Sequence, residues 1–263
     1  MSGSYDLTLM SVSYWVMVAA AYGALDLSAR SVVFGRQRRR LWLWINALAG
    51  GTGIWASHLI WIVASRSPAQ PTFDPALNAL SWGAAVAAAL LGLYIIQMRQ
   101  LDGAAVAAGG AAIGVCLCVL HYAGMFALRM SPQIAYDSEL FSTSVFVAMA
   151  ASAASLLGGF AVQNSRTGRK PLTKLAAALL IAAAVCGVYH TATVAAHIAA
   201  DAVCAPGNLL QGEAMVVPMA AVAVAAMALS LSLSILDARA ATQHRRAAME
   251  RHKTLFGNSV AGG

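Results

Sequence analysis

Three histidines lie where histidine is costly, inside long apolar runs: His58, His121 and His190. An imidazole offers a metal a lone pair and can also pass a proton. An ionisable side chain at membrane depth marks a functional site by default. Residues three, four or seven apart share a helical face. That rule sets Cys118 and Met125 beside His121, and Cys186 and His197 beside His190, whereas His58 has only Trp55 and Trp61. Imidazole together with sulfur suits a soft or borderline metal, copper first, then zinc or iron. The candidate ligand set is therefore His58, His121, His190 and Met125, with Cys118, Cys186 and His197 as outlying candidates.

These residues need elements to hold them. The chain of 263 residues is 60% hydrophobic and only 10% charged, against about 25% charged for a soluble domain. A membrane span takes roughly 20 mostly apolar residues. Seven such runs are expected, at 7–27, 41–64, 76–98, 103–128, 140–162, 172–200 and 214–236. Only Asp6 is charged ahead of the first run, and no basic leading segment precedes it. No cleaved signal peptide is expected, and the first span stays.

The net charge of +7 resembles a nucleic-acid signal until the charges are placed. Fifteen of the 17 Lys and Arg fall in the loops after spans one, three and five and in the tail; Arg66 and Arg129 are the exceptions. Asp6, Asp74, Asp137, Glu139, Asp201 and Glu213 all lie on the opposite side. The positive-inside rule then puts the N-terminus outside and the C-terminus in the cytoplasm. The fold class expected is an all-α, seven-transmembrane helix bundle of three two-helix repeats plus a final helix, crossing a cytoplasmic membrane. The lipid bilayer is its surroundings, and no nucleic-acid partner is expected. Four cysteines, three of them in apolar runs, make no disulfide framework. Gly50, Gly51, Gly53, the Gly110/Gly114 pair, Gly158 and Gly159 predict close helix packing.

The histidines follow the repeat. Each stands in a helix running from inside to outside, 63 and then 69 residues after the one before. Each is roughly 10–16 Å below the outer boundary at 1.5 Å per residue. Three hairpins delivering one histidine each to one depth predict a tandem repeat. If the even helices face one another, the imidazoles converge.

The stretches 51–64 (GTGIWASHLIWIVA), 120–128 (LHYAGMFAL) and 189–196 (YHTATVAA) resemble the three repeats of the MHYT family. This is a bacterial integral-membrane sensory domain whose motif is Met-His-Tyr-Thr, commonly followed by Gly-Met. The resemblance covers about residues 5–237. It implies a sensor joined to a cytoplasmic output module, in the same or another chain, that makes or hydrolyses cyclic di-GMP, binds DNA or phosphorylates. It implies bound copper and detection of oxygen, carbon monoxide or nitric oxide. Ser57, Leu120 and Tyr189 replace the leading methionines, and only the second repeat keeps Tyr122, Gly124 and Met125. These departures weaken copper(I) more than zinc and keep a metal-free domain open.

The domains expected are 1–237, the membrane sensor, and 238–263, a cytoplasmic signalling helix. The end of that segment, RHKTLFGNSVAGG, resembles the opening of a PAS domain. No enzyme is expected within this chain: there is no nucleophile–base pair, phosphate loop or paired carboxylate in a span. The other readings are a haem or redox protein with His58 and His121 as axial ligands, and a plain anchor that holds a homodimer together. A retinal protein is excluded because Lys170, Lys174 and Lys253 are placed outside the spans, so no Schiff base can form.

Overall fold

A computed structural model describes residues 6–31, 36–65, 73–98, 100–164, 171–199, 202–204 and most of 217–243. Six long helices dominate: α1 (Leu7–Ser31), α2 (Arg36–Ala64), α3 (Pro75–Ile96), α4 (Gly103–Phe126), α5 (Ser138–Asn164) and α6 (Pro171–Val194). All six are long and apolar enough to cross a membrane. A seventh, α7 (Val217–Leu233), is shorter. Its 17 residues stand at the lower bound for a span. Expectation and structure agree on an all-α bundle of seven helices; where seven full spans were expected, six helices are long candidate spans. The tail segment beyond residue 243 lies outside the described residues.

The acidic residues set where helices begin. Asp74 precedes Pro75, and its carboxylate accepts from the Ala76 and Leu77 backbone N–H groups. Asp6 does the same for α1, and Asp137 for α5, at the same end of the bundle. Asp102 caps α4 at the other end. A carboxylate here satisfies N–H groups that have no helical partner and faces the positive end of the helix dipole.

Each helix packs on its neighbours in sequence, and α6 closes back onto α1, so the six long helices form a ring. Small residues allow the close approaches. A Cβ on Gly114 would fall 2.7 Å from the Met149 backbone, and one on Gly110 would fall 2.7 Å from the Ala153 Cβ. The expected Gly110/Gly114 pair is therefore the α4–α5 contact. Helix α7 lies outside the ring against α1 and α2. Its Ala223 packs with Val16, Ala56 and Ile60, and its Leu231 lies by Leu27 and Trp42. It thus runs alongside α1 in the same direction.

The two ends of the bundle differ. At one end Asp26 of α1 is buried between Lys174 of α6 and Arg30, with both N–O distances 2.7 Å. This corrects the placing of Lys174 outside the spans: it sits in the first turn of α6, buried. Its ammonium is taken up by Asp26. We call this the arginine end.

At the other, histidine end, the connections after α4 and α6 pair in two short antiparallel ladders. These are β1 (Met130–Ser131) with β4 (Val203–Cys204), and β2 (Ala135–Tyr136) with β3 (Ala196–His197). The sixth apolar run was expected to stay helical to residue 200. It stops at Val194 because the chain turns there to pair with β2.

Candidate functional site: a buried histidine pair

The buried positions of helix α4 include Ile113, Leu117, Leu120, His121, Gly124 and Met125. Those spacings make one inward stripe. On α2, Ser57 and His58 face inward among residues that are buried on nearly every side, because α7 covers the outer face. His58 and His121 are both 0% exposed. His58 Nε2 stands 3.1 Å from His121 Nδ1, a hydrogen bond between helices.

Gly124 makes this contact possible. A Cβ at that position would lie 2.6 Å from His58 Cε1, well inside contact distance. Gly124 therefore leaves the space the His58 ring occupies. Beside it, Ser81 of α3 donates to the Leu120 carbonyl at 2.8 Å and fixes the third helix against the pair.

The outer nitrogens, His58 Nδ1 and His121 Nε2, are buried and have no hydrogen-bond partner. Neutral imidazole has one N–H and one lone pair. The shared hydrogen bond uses a donor on one ring and an acceptor on the other. Whichever tautomer holds, a lone pair is left at one outer nitrogen and an N–H at the other. The pair thus presents one open acceptor and one open donor inside the bundle.

His190 does not join them. It is exposed on α6, and its ring lies against Trp61 with centroids 6.2 Å apart. The expected convergence of three imidazoles is therefore corrected to two. Depth follows from counting residues, but facing does not: adjacent residues differ by about 100° around a helix. The inward stripe of α6 is Val185, Tyr189 and Ala192, so Tyr189 takes the inward place.

The Tyr189 hydroxyl donates to the Ile54 carbonyl at 3.1 Å and meets Ser57 Oγ at 3.5 Å. Its ring centroid is 5.1 Å from that of His58 and 6.5 Å from that of His121. Ser13 of α1 donates to the Ser57 carbonyl at 2.6 Å, and the Met17 sulfur lies 3.8 Å from Ser57 Oγ. The far side of His121 is closed by Tyr122, whose hydroxyl reaches Ser144 of α5 at 2.7 Å.

The remaining candidates are spread out. Met125 is buried one turn from His121, packed with Leu59, Ile62 and Leu128. Cys186 is buried one turn before Tyr189, and Cys118 is half-buried. His197 is exposed in β3 opposite Ala135, off the helix that was expected to carry it. Among the described residues no group of three or more His, Cys, Asp or Glu gathers that can hold a metal.

Sequence reasoning missed Tyr189, Ser57, Ser13 and Ser81. One signal was available: Ser57 and Tyr189 are polar residues directly before a histidine in an apolar run. Outside the spans, the Asp74 carboxylate at the histidine end pairs with Arg129, Nε to Oδ2 being 3.2 Å. Arg129 and the capped N–H groups hold its pKa below the usual carboxylate value. Tyr136 of β2 buries its hydroxyl without a partner, and burial raises its pKa.

The family described as "MHYT: Bacterial signalling protein N terminal repeat" matches residues 51–110 and 114–173. These two stretches hold His58 and His121; the third motif, 189–196, lies beyond them. The bifunctional diguanylate cyclase/cyclic di-GMP phosphodiesterase MucR of Pseudomonas aeruginosa is 30% identical over 90% of this chain and 34% of its own. The cyclic di-GMP phosphodiesterase NbdA of the same organism is 31% identical over 72% of this chain and 24% of its own. The signalling protein YkoW of Bacillus subtilis is 30% identical over 58% of this chain and 19% of its own. This chain spans about a third or less of the length of these relatives. No solved structure matches it. The chain is an MHYT repeat domain, a multi-pass membrane domain homologous to the N-terminal sensor regions of bacterial signalling proteins.

Proposed function

We propose that the His58–His121 pair is the detecting centre of this sensor, and that it passes its state to a cyclic di-GMP enzyme on the cytoplasmic side. One observation carries the reading: two fully buried imidazoles in contact, each with an outer nitrogen left unpartnered. Unsatisfied polar atoms in a dry interior are costly and call for a ligand. Copper is the metal the family resemblance implies. The pair fits it as a donor set, with the Met125 thioether one turn away on α4. Bound there, copper would supply a soft, redox-active Lewis acid for a diatomic gas. His58 and His121 would hold it; Tyr189 and Tyr122 pack against their rings and fix their orientation. The shared hydrogen bond uses one nitrogen of each ring, so the pair would give a metal two lone pairs at this contact only when that proton moves to the outer nitrogen that lacks one.

The charge asymmetry supports an outer histidine end and a cytoplasmic arginine end. Helix α7, running alongside α1, would then complete a seventh crossing and lead inward. It also has a route to the pair. Ala56 and Ile60 flank His58 on α2 and pack against Ala223 of α7. A change in the position of His58 is thereby felt by the helix that leads to the output. Such a shift requires the ligand to favour one packing over the other. In MucR and NbdA the wider protein is a cyclic di-GMP enzyme, and a module of that kind is the output we propose here.

The test joins this chain to a cyclic di-GMP-forming output module and compares copper-loaded with copper-free protein. A several-fold change in product is expected for the unaltered chain and for His190→Ala. No change is expected for His58→Ala or His121→Ala. Equal output from loaded and copper-free unaltered chain contradicts the reading.

A further inference from the structure

Beneath the histidine pair the ring of helices is not filled. A cavity of about 130 Å³ lies inside it, walled by all six long helices. Its walls are almost wholly apolar. Gly50 and Gly92 mark how loose it is: a Cβ at Gly50 would meet nothing nearer than 3.9 Å, and one at Gly92 nothing nearer than 3.8 Å. The contrast with Gly110, Gly114 and Gly124, where a Cβ would collide, is plain. Here the glycines leave space rather than admit a neighbour.

Two serines of α5 line this space, Ser152 and the half-buried Ser155. Ser152 of α5 is 3% exposed, and its hydroxyl has no hydrogen-bond partner. A mid-helix serine ordinarily bonds back to a carbonyl one turn earlier. A water needs two to four polar partners, and apolar cavities stay dry. The two serines, one turn apart in an otherwise apolar wall, offer at most the lower limit of that number. A cavity of about 150 Å³ with apolar walls takes up benzene, which sets the size of the occupant.

We propose that the interior of the ring binds a small, uncharged, mainly apolar molecule carrying one hydroxyl, a phenol or short alcohol delivered from the bilayer. Ser152 Oγ pairs with that hydroxyl, and the apolar walls hold the rest. The site is separate from the His58–His121 pair and does not rest on metal binding there. It is contiguous with it: Leu117 lies one turn before His121, Val185 one turn before Tyr189, and Ile54 one turn before His58.

The experiment uses the whole chain in lipid nanodiscs, with 4-fluorophenol and fluorobenzene as probes read by fluorine NMR. A saturable bound signal at one probe per chain is expected for both. Ser152→Ala should weaken 4-fluorophenol by up to about tenfold, the worth of one hydrogen bond, and leave fluorobenzene unchanged. Ala88→Leu, which pushes a side chain into the cavity, should abolish both signals. If that variant does not fold, the double variant Gly50→Ala, Gly92→Ala, which meets no clash, should weaken both severalfold. His58→Ala with His121→Ala should keep binding. No saturable signal in the unaltered chain, as when a lipid tail fills the space, overturns the proposal. So does a signal kept by the filled variants but lost with the two histidines.

Discussion

Tyr189 of α6, rather than the histidine that follows it, stands against His58, with ring centroids 5.1 Å apart. Its hydroxyl is tied to the Ile54 carbonyl one turn earlier on α2. The candidate site is therefore two imidazoles braced by a tyrosine, and the third motif contributes the brace. Tyr189→Phe keeps the ring and removes the hydroxyl. It should cost about 1 kcal/mol of stability, the usual net worth of one hydrogen bond. Tyr189→Ala should cost on the order of 3–5 kcal/mol, by leaving a large cavity. Chemical denaturation of the purified domain in detergent checks both.

Gly124→Ala should disturb the pair without touching its chemistry. The added methyl would stand 2.6 Å from His58 Cε1, so the ring must move. Overpacking of this kind costs about 1–3 kcal/mol. The ¹⁵N NMR signals of the two imidazoles should shift along with the loss of stability. Unchanged imidazole signals would mean that His58 does not occupy the place described.

Lys174→Ala should be strongly destabilising, on the order of 3 kcal/mol, because it strips a buried partner from Asp26. Arg30 remains to share the carboxylate, which sets the lower end of that scale. Changing both partners, Asp26→Leu with Lys174→Leu, should recover most of the loss. Melting curves of the single and double variants give the comparison.

Acid should loosen the histidine end through Asp74. Its pKa is held below the ordinary value by the Arg129 guanidinium and the capped backbone N–H groups. A carboxylate with a depressed folded-state pKa stabilises the fold above its unfolded-state value of about 3.8. That contribution fades as pH falls through the folded-state pKa. Stability measured from neutral pH to about pH 3 should fall, and Asp74→Asn should make part of that fall disappear.

Much of this was legible in the sequence. The apolar runs located the six long helices, since a span must carry its own backbone hydrogen bonds and an apolar surface. The Gly110/Gly114 spacing marked a real close contact. His58 and His121 stood out in the sequence, and in the structure they meet. His190 showed the limit. Its depth was countable, but the direction of its side chain depends on how α6 rotates against α1 and α5, and no spacing records that. The end of α6 was lost for a similar reason. Ala196 and His197 directly follow an apolar helical run in the sequence, yet they pair with Tyr136 and Ala135 from a distant loop. Asp6, Asp74 and Asp137 served only as topology markers in the sequence, although an acidic residue directly before an apolar run is also a helix-start signal.

The most direct test is the metal content of the detergent-purified chain, by elemental mass spectrometry, after exposure to copper. The unaltered chain and His190→Ala should carry the metal in equal, stoichiometric amounts, and His58→Ala and His121→Ala should each lose it. Loss in His190→Ala equal to that in the other two would contradict a centre built on the His58–His121 pair alone. No metal in the unaltered chain would contradict copper as its ligand.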